Sequence, residues 1–368
     1  MINLRIKTFS LSKHNFLTKY LRYFFLIPIV LCNLFLTQSP FPLFLIPFNI
    51  IYMVSFSDDL VESAKKLAWR FHISIFFLGM VIIPCLSNLH ELIVSIIGLT
   101  KDMTLAETVL AQQLGNKLFE LLVSFGLLGW ISCRTGSCIK MEDESERKVF
   151  LRNGVFVILA AIILAILVFS DLSLDYSDGF ILIMFYVTFL IATYFSRKGG
   201  TKEFESISEE MLGEYEGKEF KPSYEVIKFI VFLMIIMTMG NFISENILVL
   251  RDNYDFFMKY NYIIVGLLLA LPNLIISAVS LKKGMKSLMI ALSIGSAMWE
   301  MTISIAIYVI ISPINNISFM ALMFLTICLI FSALIAIIYI RTHWMLKLWE
   351  SITLIITYVI MIIILIAI

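Results

Sequence analysis

The chain has 368 residues, of which 60% are hydrophobic and 31 are Phe, with a mean hydropathy of +0.95. Soluble domains are about 45–50% apolar, so this composition excludes a soluble globular protein and predicts a polytopic membrane protein. The net charge of +1 offers no basic surface for nucleic acid. Five scattered Cys predict neither a disulfide framework nor a metal cluster.

The first 38 residues combine a basic segment with an apolar run at 23–37. That order is also found in secretory signal peptides. Residues 38–42, which follow the run, lack the small-residue pattern of a cleavage site. We therefore predict that residues 1–38 hold a retained anchor helix, with its basic end in the cytoplasm.

Apolar runs of about 18–25 residues, long enough to cross a bilayer, continue to the C-terminus. We predict eleven helices, at 21–37, 41–56, 72–98, 104–132, 150–170, 178–196, 225–249, 260–281, 286–312, 316–340 and 346–368. With a cytoplasmic N-terminus, 24 of the 28 Lys and Arg fall in cytoplasmic segments, as the positive-inside rule requires. The longest gap, 197–223, carries Gly, Pro and mixed charge, and we expect a cytoplasmic linker there between two halves, 39–196 and 224–368.

Two related passages stand about 180 residues apart. The sequence Leu-His-Glu-Leu-Ile-Val-Ser at 89–95 returns at 271–277 as Leu-Pro-Asn-Leu-Ile-Ile-Ser, and each copy is followed by a Gly and a carboxylate, at 115–120 and 295–300. The copies lie on the third and eighth predicted helices, and a displacement of five helices reverses direction across the bilayer. We therefore predict an all-α membrane protein with inverted 5+5 helix repeats and one additional N-terminal helix, the architecture of a secondary transporter.

Ionisable side chains inside these helices indicate a cation site. A carboxylate at the bilayer centre costs about 2.5–3.5 kcal/mol, so we expect Glu91, Glu120 and Glu300 to have a function, as ligands of a metal cation. Hard cations such as Ca²⁺ bind carboxylate, amide, hydroxyl and carbonyl oxygens. Neutral side chains close to the carboxylates, or in the second copy, complete the expected ion-binding set: Ser87, Asn88, Asn116, Asn273 and Ser296.

Lys117 lies three residues before Glu120, close enough on a helix for an ion pair. Its expected role is to balance the charge of the site. Two alternatives stay open, namely that Lys117 takes the place of a bound monovalent cation, or that it extends towards a membrane surface or a water channel. His90, beside Glu91, is interpreted as a packing or hydrogen-bonded residue, with a proton-sensitive group as the alternative.

These residues also carry a family likeness. The passages Ser57-Asp58-Asp59-Leu60-Val61-Glu62-Ser63-Ala64 and Leu89-His90-Glu91-Leu92-Ile93-Val94-Ser95 resemble the first signature repeat of the cation/Ca²⁺ exchanger superfamily, which includes sodium/calcium exchangers. Residues 266–300 resemble the second repeat, and the likeness covers about 40–368. It implies a secondary active antiporter, not an enzyme, that exchanges Ca²⁺ or another cation for Na⁺ or H⁺ and needs no cofactor. It also implies an ion site lined by these residues: Glu91, Asn273, Glu120 and Glu300, with Ser87, Asn116 and Ser296 as neutral ligands.

The chain departs from the family pattern in its second copy. The family's Gly-Thr-Ser-Leu-Pro-Glu reads Leu-Leu-Ala-Leu-Pro-Asn at 268–273, so both hydroxyls and the glutamate are replaced. In the first copy, Asn88 stands three residues before Glu91, as in the cation/proton branch of the superfamily. The coupling ion is therefore left open between Na⁺ and H⁺.

Two further interpretations remain. The exchanger fold could carry a monovalent cation as altered cargo, or the chain could be a degenerate membrane protein that does not transport and acts by binding a partner. We expect the lipid bilayer and inorganic cations as partners, and the short loops are typical of a microbial plasma membrane. The sequence carries no prediction of the oligomeric state.

Overall fold

A computed structural model describes residues 15–35, 41–88, 92, 96, 106–136, 138–141, 144–195, 222–253, 266–314 and 320–367. Eleven main helices lie in this part of the chain. They are α1 (Asn15–Phe35), α2 (Phe41–Phe71), α3 (Ile75–Ser87), α4 (Ala106–Leu118, Phe119–Ser124 and Phe125–Arg134), α5 (Glu144–Asp171), α6 (Tyr176–Tyr194), α7 (Pro222–Asn253), α8 (Leu271–Lys282), α9 (Lys286–Ile311), α10 (Met320–His343) and α11 (Leu348–Ala367). The predicted all-α fold class is confirmed.

Eight of these helices are long and apolar enough to cross a membrane, and the apolar parts of α1, α3 and α8 are shorter. The exposed faces of α5, α6 and α11 carry large apolar side chains, such as Ile166, Met184 and Ile363, each about 60% exposed. A helix that is apolar towards both the core and its surroundings is typical of a membrane span. These faces are therefore suited to contact lipid.

Helix α2 is longer than the sequence predicted. The prediction ended at residue 56 because charged residues follow, but the helix continues to Phe71. In the extension, Leu60, Val61 and Ala64 are fully buried in a hydrophobic cluster with α7 and α8. The charged residues occupy the other side of an amphipathic segment, a pattern that a search for uninterrupted apolar runs misses.

The helices pack in pairs that repeat between the two halves of the chain. Helix α2 packs along α7, and α5 packs along α10, so equivalent helices meet each other. The C-terminal part of α4 contacts α11, and the C-terminal part of α9 contacts α6 in the same way. Helices α3, α4, α8 and α9 lie between these outer pairs, at the centre of the protein.

The additional helix α1 is joined to both halves by three buried asparagines. Asn33 on α1 and Asn49 on α2 exchange side-chain hydrogen bonds of 2.9 and 3.0 Å. Asn246 on α7 donates its amide N–H to Asn33 at 2.9 Å. Hydrogen bonds between buried amides hold helices together in an apolar environment. Helix α1 is therefore packed as part of the helix assembly.

Cys133 and Cys138, which flank the turn after α4, are joined by a disulfide. The sequence predicted no disulfide framework, and this single bridge was not anticipated. The spacing of five residues shows no framework pattern, and only the tight turn at the end of α4, closed by the Thr135 N–H bond to Ile131, brings the two thiols together.

Two glycines allow the central helices to approach closely. A Cβ atom placed on Gly295 of α9 would overlap the main-chain carbonyl of Met80 in α3. Gly266 lies just before α8, and a Cβ atom placed on it would lie 2.9 Å from the main-chain N of Asn116 in α4. Both contacts are with backbone, which cannot rotate away as a side chain can. Glycine is required here because each approach brings the polar residues beside it together.

We predict that the series Gly295→Ala and Gly295→Val will progressively destabilise the protein. Overpacking a well-packed core costs about 1–3 kcal/mol of stability. The loss for Gly295→Val is expected at or above the upper end of this range, because the main chain of Met80 cannot move aside as a side chain can. The loss is measured by thermal unfolding in detergent. Val155→Leu, on an exposed face of α5, serves as the control and should leave unfolding unchanged. Equal stability of Gly295→Val and the native protein would contradict the close crossing.

Candidate ion-binding site

Three of the four central helices have an irregular segment close to polar residues. Helix α4 passes through a π-helical segment at Phe119–Ser124, and α9 does so at Glu300–Ser304. Helix α3 contains a third such segment at Leu78–Ile82. π-Helical segments in α-helices occur frequently at functional sites, because the extra residue redirects side chains and loosens the hydrogen-bond ladder. Glu120 and Glu300 both lie at the beginning of such a segment.

Four neutral side chains from both halves form one part of the site. Ser87 donates its hydroxyl to the Asn273 amide oxygen at 3.1 Å. Asn273 donates to the amide oxygen of Asn88 at 3.1 Å and to the Ser296 hydroxyl at 2.9 Å. Asn88 also donates to Ser296, at 3.1 Å. The end of α3 is thereby connected to α8 and α9.

Three charged side chains form the other part. The ammonium of Lys117 contacts the Glu120 carboxylate three residues further along α4 and lies 2.6 Å from Oε1 of Glu300 on α9. Lys117 also donates to the Ser296 hydroxyl at 2.8 Å. Asn116 donates its amide N–H to Oε2 of Glu300 at 3.1 Å, and Ser296 donates to Glu120 at 3.3 Å. Ser296 therefore links the charged and neutral parts.

The site is closed to solvent. All eight described members are at most 3% exposed: Ser87, Asn88, Asn116, Lys117, Glu120, Asn273, Ser296 and Glu300. Removing ions from water is costly unless opposite charges and hydrogen bonds compensate, so the two glutamates depend on the ammonium between them. Two carboxylates and one ammonium leave a formal charge of −1 on the described part of the site. Such an environment attracts a cation.

Glu91 and His90 lie outside the described residues. Their neighbours Asn88 and Leu92 are buried, and the Leu92 N–H donates to the Asn88 carbonyl at 3.1 Å. Within the described part of the chain, no three acidic, His or Cys side chains come close enough together to hold a metal ion. The described site offers two carboxylates, and the sequence places the third candidate, Glu91, three residues after Asn88.

Every predicted site residue that the structure describes belongs to this one network. Lys117 and Glu300 are 183 positions apart, so their pairing depends on how α4 and α9 cross and not on spacing along one helix. Gln113 was missed. It is buried one turn before Lys117 and donates to the Tyr308 hydroxyl on α9 at 3.2 Å. Gln113 lies one and two turns before Lys117 and Glu120, so its spacing could have placed it on the same face of α4.

Two buried hydroxyls extend the equivalence of the two halves. Ser124 and Ser304 each lie four residues after the site glutamate, near the end of the π-helical segment. Both are at most 2% exposed, and neither hydroxyl oxygen forms a hydrogen bond with a described residue. Buried hydroxyls are ordinarily hydrogen-bonded, so these two oxygens are further polar groups beside the site.

Comparison with known proteins gives a consistent result. The model of the sodium/calcium exchanger protein family matches residues 41–195 and 224–367. The sodium-calcium exchanger NCX_Mj soaked with 100 mM Na⁺ and 10 mM Sr²⁺ is 17% identical, over 86% of this chain and 95% of that chain, with a TM-score of 0.66. Its structure soaked with 2.5 mM Na⁺ and 0.1 mM Ca²⁺ is 17% identical over the same shares, with a TM-score of 0.65. No curated protein matches in sequence.

The two matched segments make up most of the chain and extend from α2 to α11, leaving α1 as an addition. The solved structures share the fold at low identity. The resemblance predicted from the signature repeats is thereby confirmed, together with the integral membrane character of the chain. The protein belongs to the sodium/calcium exchanger protein family, a family of membrane transporters within the cation/Ca²⁺ exchanger superfamily.

Proposed function

We propose that this protein is a secondary active antiporter that exchanges Ca²⁺, or another cation, for Na⁺ across a membrane, with H⁺ as the alternative coupling ion. The observation that carries the proposal is the buried network of oxygen-bearing side chains at the meeting of the two repeats, with carboxylates from both α4 and α9. Binding near the middle of inverted repeats permits access from one side at a time.

The charge and ligand types of the site support a divalent cargo. The described part carries −1, and the carboxylate of Glu91 would bring the site to −2, the charge that one divalent cation neutralises. Ca²⁺ takes six to eight oxygens at about 2.3–2.6 Å. Carboxylates, amide oxygens and hydroxyls from the expected ligands would supply them: Glu91, Glu120, Glu300, Asn88, Asn116, Asn273, Ser87 and Ser296. Related structures obtained with Na⁺, Sr²⁺ and Ca²⁺ support the same ions.

One observation favours the second candidate, an exchanger with monovalent cargo. Lys117 already neutralises part of the carboxylate charge, and the second copy has Leu269 and Ala270, both buried, where the family has hydroxyls. Fewer charged and oxygen ligands favour a cation of lower charge. The degenerate, non-transporting alternative predicts that no cation binds at all.

The membrane arrangement is part of the same proposal. Segments 39–196 and 224–368 are the two exchanger halves, 197–223 is a cytoplasmic linker, and the 1–38 region carries the additional helix. The distribution of Lys and Arg supports a cytoplasmic N-terminus. A microbial plasma membrane is the proposed location.

We predict that purified protein in liposomes will take up ⁴⁵Ca²⁺ when an outward Na⁺ gradient is imposed. A separate pH gradient tests H⁺ as the coupling ion. Glu91→Gln and Glu300→Gln should each lower the initial rate at constant Ca²⁺ by about tenfold or more, because a charge-assisted contact contributes about 1.5–3 kcal/mol.

Glu350→Gln is the matched control for this experiment. Glu350 is equally buried, but it accepts the main-chain N–H of Lys347 at the beginning of α11, away from the site. It should retain native uptake once the amount of folded protein is normalised. Absence of uptake under both gradients, or full uptake by Glu91→Gln and Glu300→Gln, would contradict the proposed Ca²⁺ antiport.

A second prediction concerns equilibrium binding. Ca²⁺ should raise the thermal unfolding temperature of the native protein, since a ligand at 100 times its Kd stabilises the folded state by about 2.7 kcal/mol. Choline chloride of equal ionic strength is the control, and Glu300→Gln should reduce the shift. A response to Na⁺ or K⁺ without any response to Ca²⁺ would favour monovalent cargo. Insensitivity to every cation would favour a non-transporting protein.

A further inference from the structure

Lys117 is the most deeply buried basic side chain in the described part of the chain, at 1% exposed, and it lies at the centre of the site. We propose that its ammonium is a tethered cation that permanently occupies one cation position of the site. The transported ion then binds through the ligand oxygens that the ammonium does not occupy. This inference rests on the proposed function, because it specifies how many cations the exchanger site accepts.

The first support is the arrangement of oxygens around Nζ. Oxygens of Glu120, Glu300 and Ser296 surround it, with Glu300 Oε1 at 2.6 Å and Ser296 Oγ at 2.8 Å. Two carboxylates and a hydroxyl, brought from α4 and α9, are the ligand types that a metal cation takes. At these separations the ammonium fills the space between these oxygens, so a second cation cannot occupy that position, although the other carboxylate oxygens of Glu120 and Glu300 can still contact the transported ion.

The second support is the comparison of the two repeats. The sequence Gly-Asn-Lys-Leu-Phe-Glu at 115–120 corresponds to Gly-Ser-Ala-Met-Trp-Glu at 295–300. Both copies supply the carboxylate, Glu120 and Glu300, but Lys117 corresponds to Ala297. The anionic ligands therefore belong to the repeated design, and the ammonium is an addition to one copy only. An ordinary structural ion pair needs only one carboxylate for each ammonium. Here the single ammonium of Lys117 contacts the carboxylates of both copies, Glu120 and Glu300.

The consequence is a specific change in ion stoichiometry. With the ammonium in place, the transported ion is bound mainly by the neutral cluster of Ser87, Asn88 and Asn273, to which the sequence adds the expected ligand Glu91. Replacement of Lys117 by a neutral side chain vacates a position between two carboxylates. That position should then accept a free monovalent cation.

The experiment measures this gained cation dependence by thermal unfolding of the full-length protein in detergent. Native protein, Lys117→Gln and the double variant Lys117→Gln/Glu300→Gln are compared in chlorides of choline, Na⁺, K⁺ and methylammonium at equal ionic strength. Methylammonium is included because it has the head group of lysine. Purification with Na⁺ or methylammonium present throughout keeps the vacated position filled.

We expect Lys117→Gln to unfold at a lower temperature than native protein in choline, and to recover in a concentration-dependent manner with Na⁺ or methylammonium. The recovery must exceed any shift of native protein in the same salt, and it should be largely lost in the double variant, which has only one of the two carboxylates. Lys228→Gln is the matched control, because Lys228 pairs with Glu225 at the same three-residue spacing on α7, outside the site. The unfolding temperature of this variant should not become dependent on the cation.

Equal destabilisation of Lys117→Gln in all four salts would overturn the proposal and leave Lys117 as a structural ion pair. Failure to obtain folded Lys117→Gln in both Na⁺ and methylammonium would also overturn it, because a refilled site should restore folding. Unfolding requires no transport. Absence of ion exchange by native protein in liposomes would therefore reject the antiport function without deciding the role of Lys117.

Discussion

Two carboxylates held in an apolar interior repel each other and have lost the water that would stabilise them, so they need a cation between them. In this protein Glu120 and Glu300 come from different halves of the chain, and the ammonium of Lys117 joins them. This contact offsets the loss of water that burial imposes on the two carboxylates. The close approach of the central helices at Gly295 and Gly266, and the π-helical segments that carry the glutamates, all serve to bring these charges together.

The outer helices contribute by holding the centre in place. Equivalent helices pair across the halves, as α2 does with α7 and α5 with α10, and their apolar outer faces suit a lipid environment. Helix α1 is fixed to this frame through Asn33, which bonds to asparagines on both α2 and α7. Among the described helices α1 has no counterpart in the second half, so it packs on the pair α2 and α7 without a symmetry-related partner.

Much of this arrangement is encoded locally and could be predicted. Apolar runs predicted the helices, and the recurrence of 89–95 at 271–277 predicted two inverted halves. Spacing along α4 placed Asn116, Lys117 and Glu120 within one turn of each other. The charged extension of α2 could not be recognised, because burial of Leu60 and Val61 depends on α7 and α8. The contact of Lys117 with Glu300 and the asparagine cluster at Asn33 depend on how distant helices cross, which a single sequence does not specify.

The repeat also bears on how the protein changes shape. In an inverted-repeat transporter with identical halves, the inward-facing and outward-facing conformations would exchange the roles of the halves and have equal energies. Here Lys117 lies on α4, and Ala297 occupies the corresponding place on α9. The positive charge therefore moves with one half only, and the two conformations hold it in different surroundings. The resting protein should favour one orientation even when the ion concentrations on the two sides are equal.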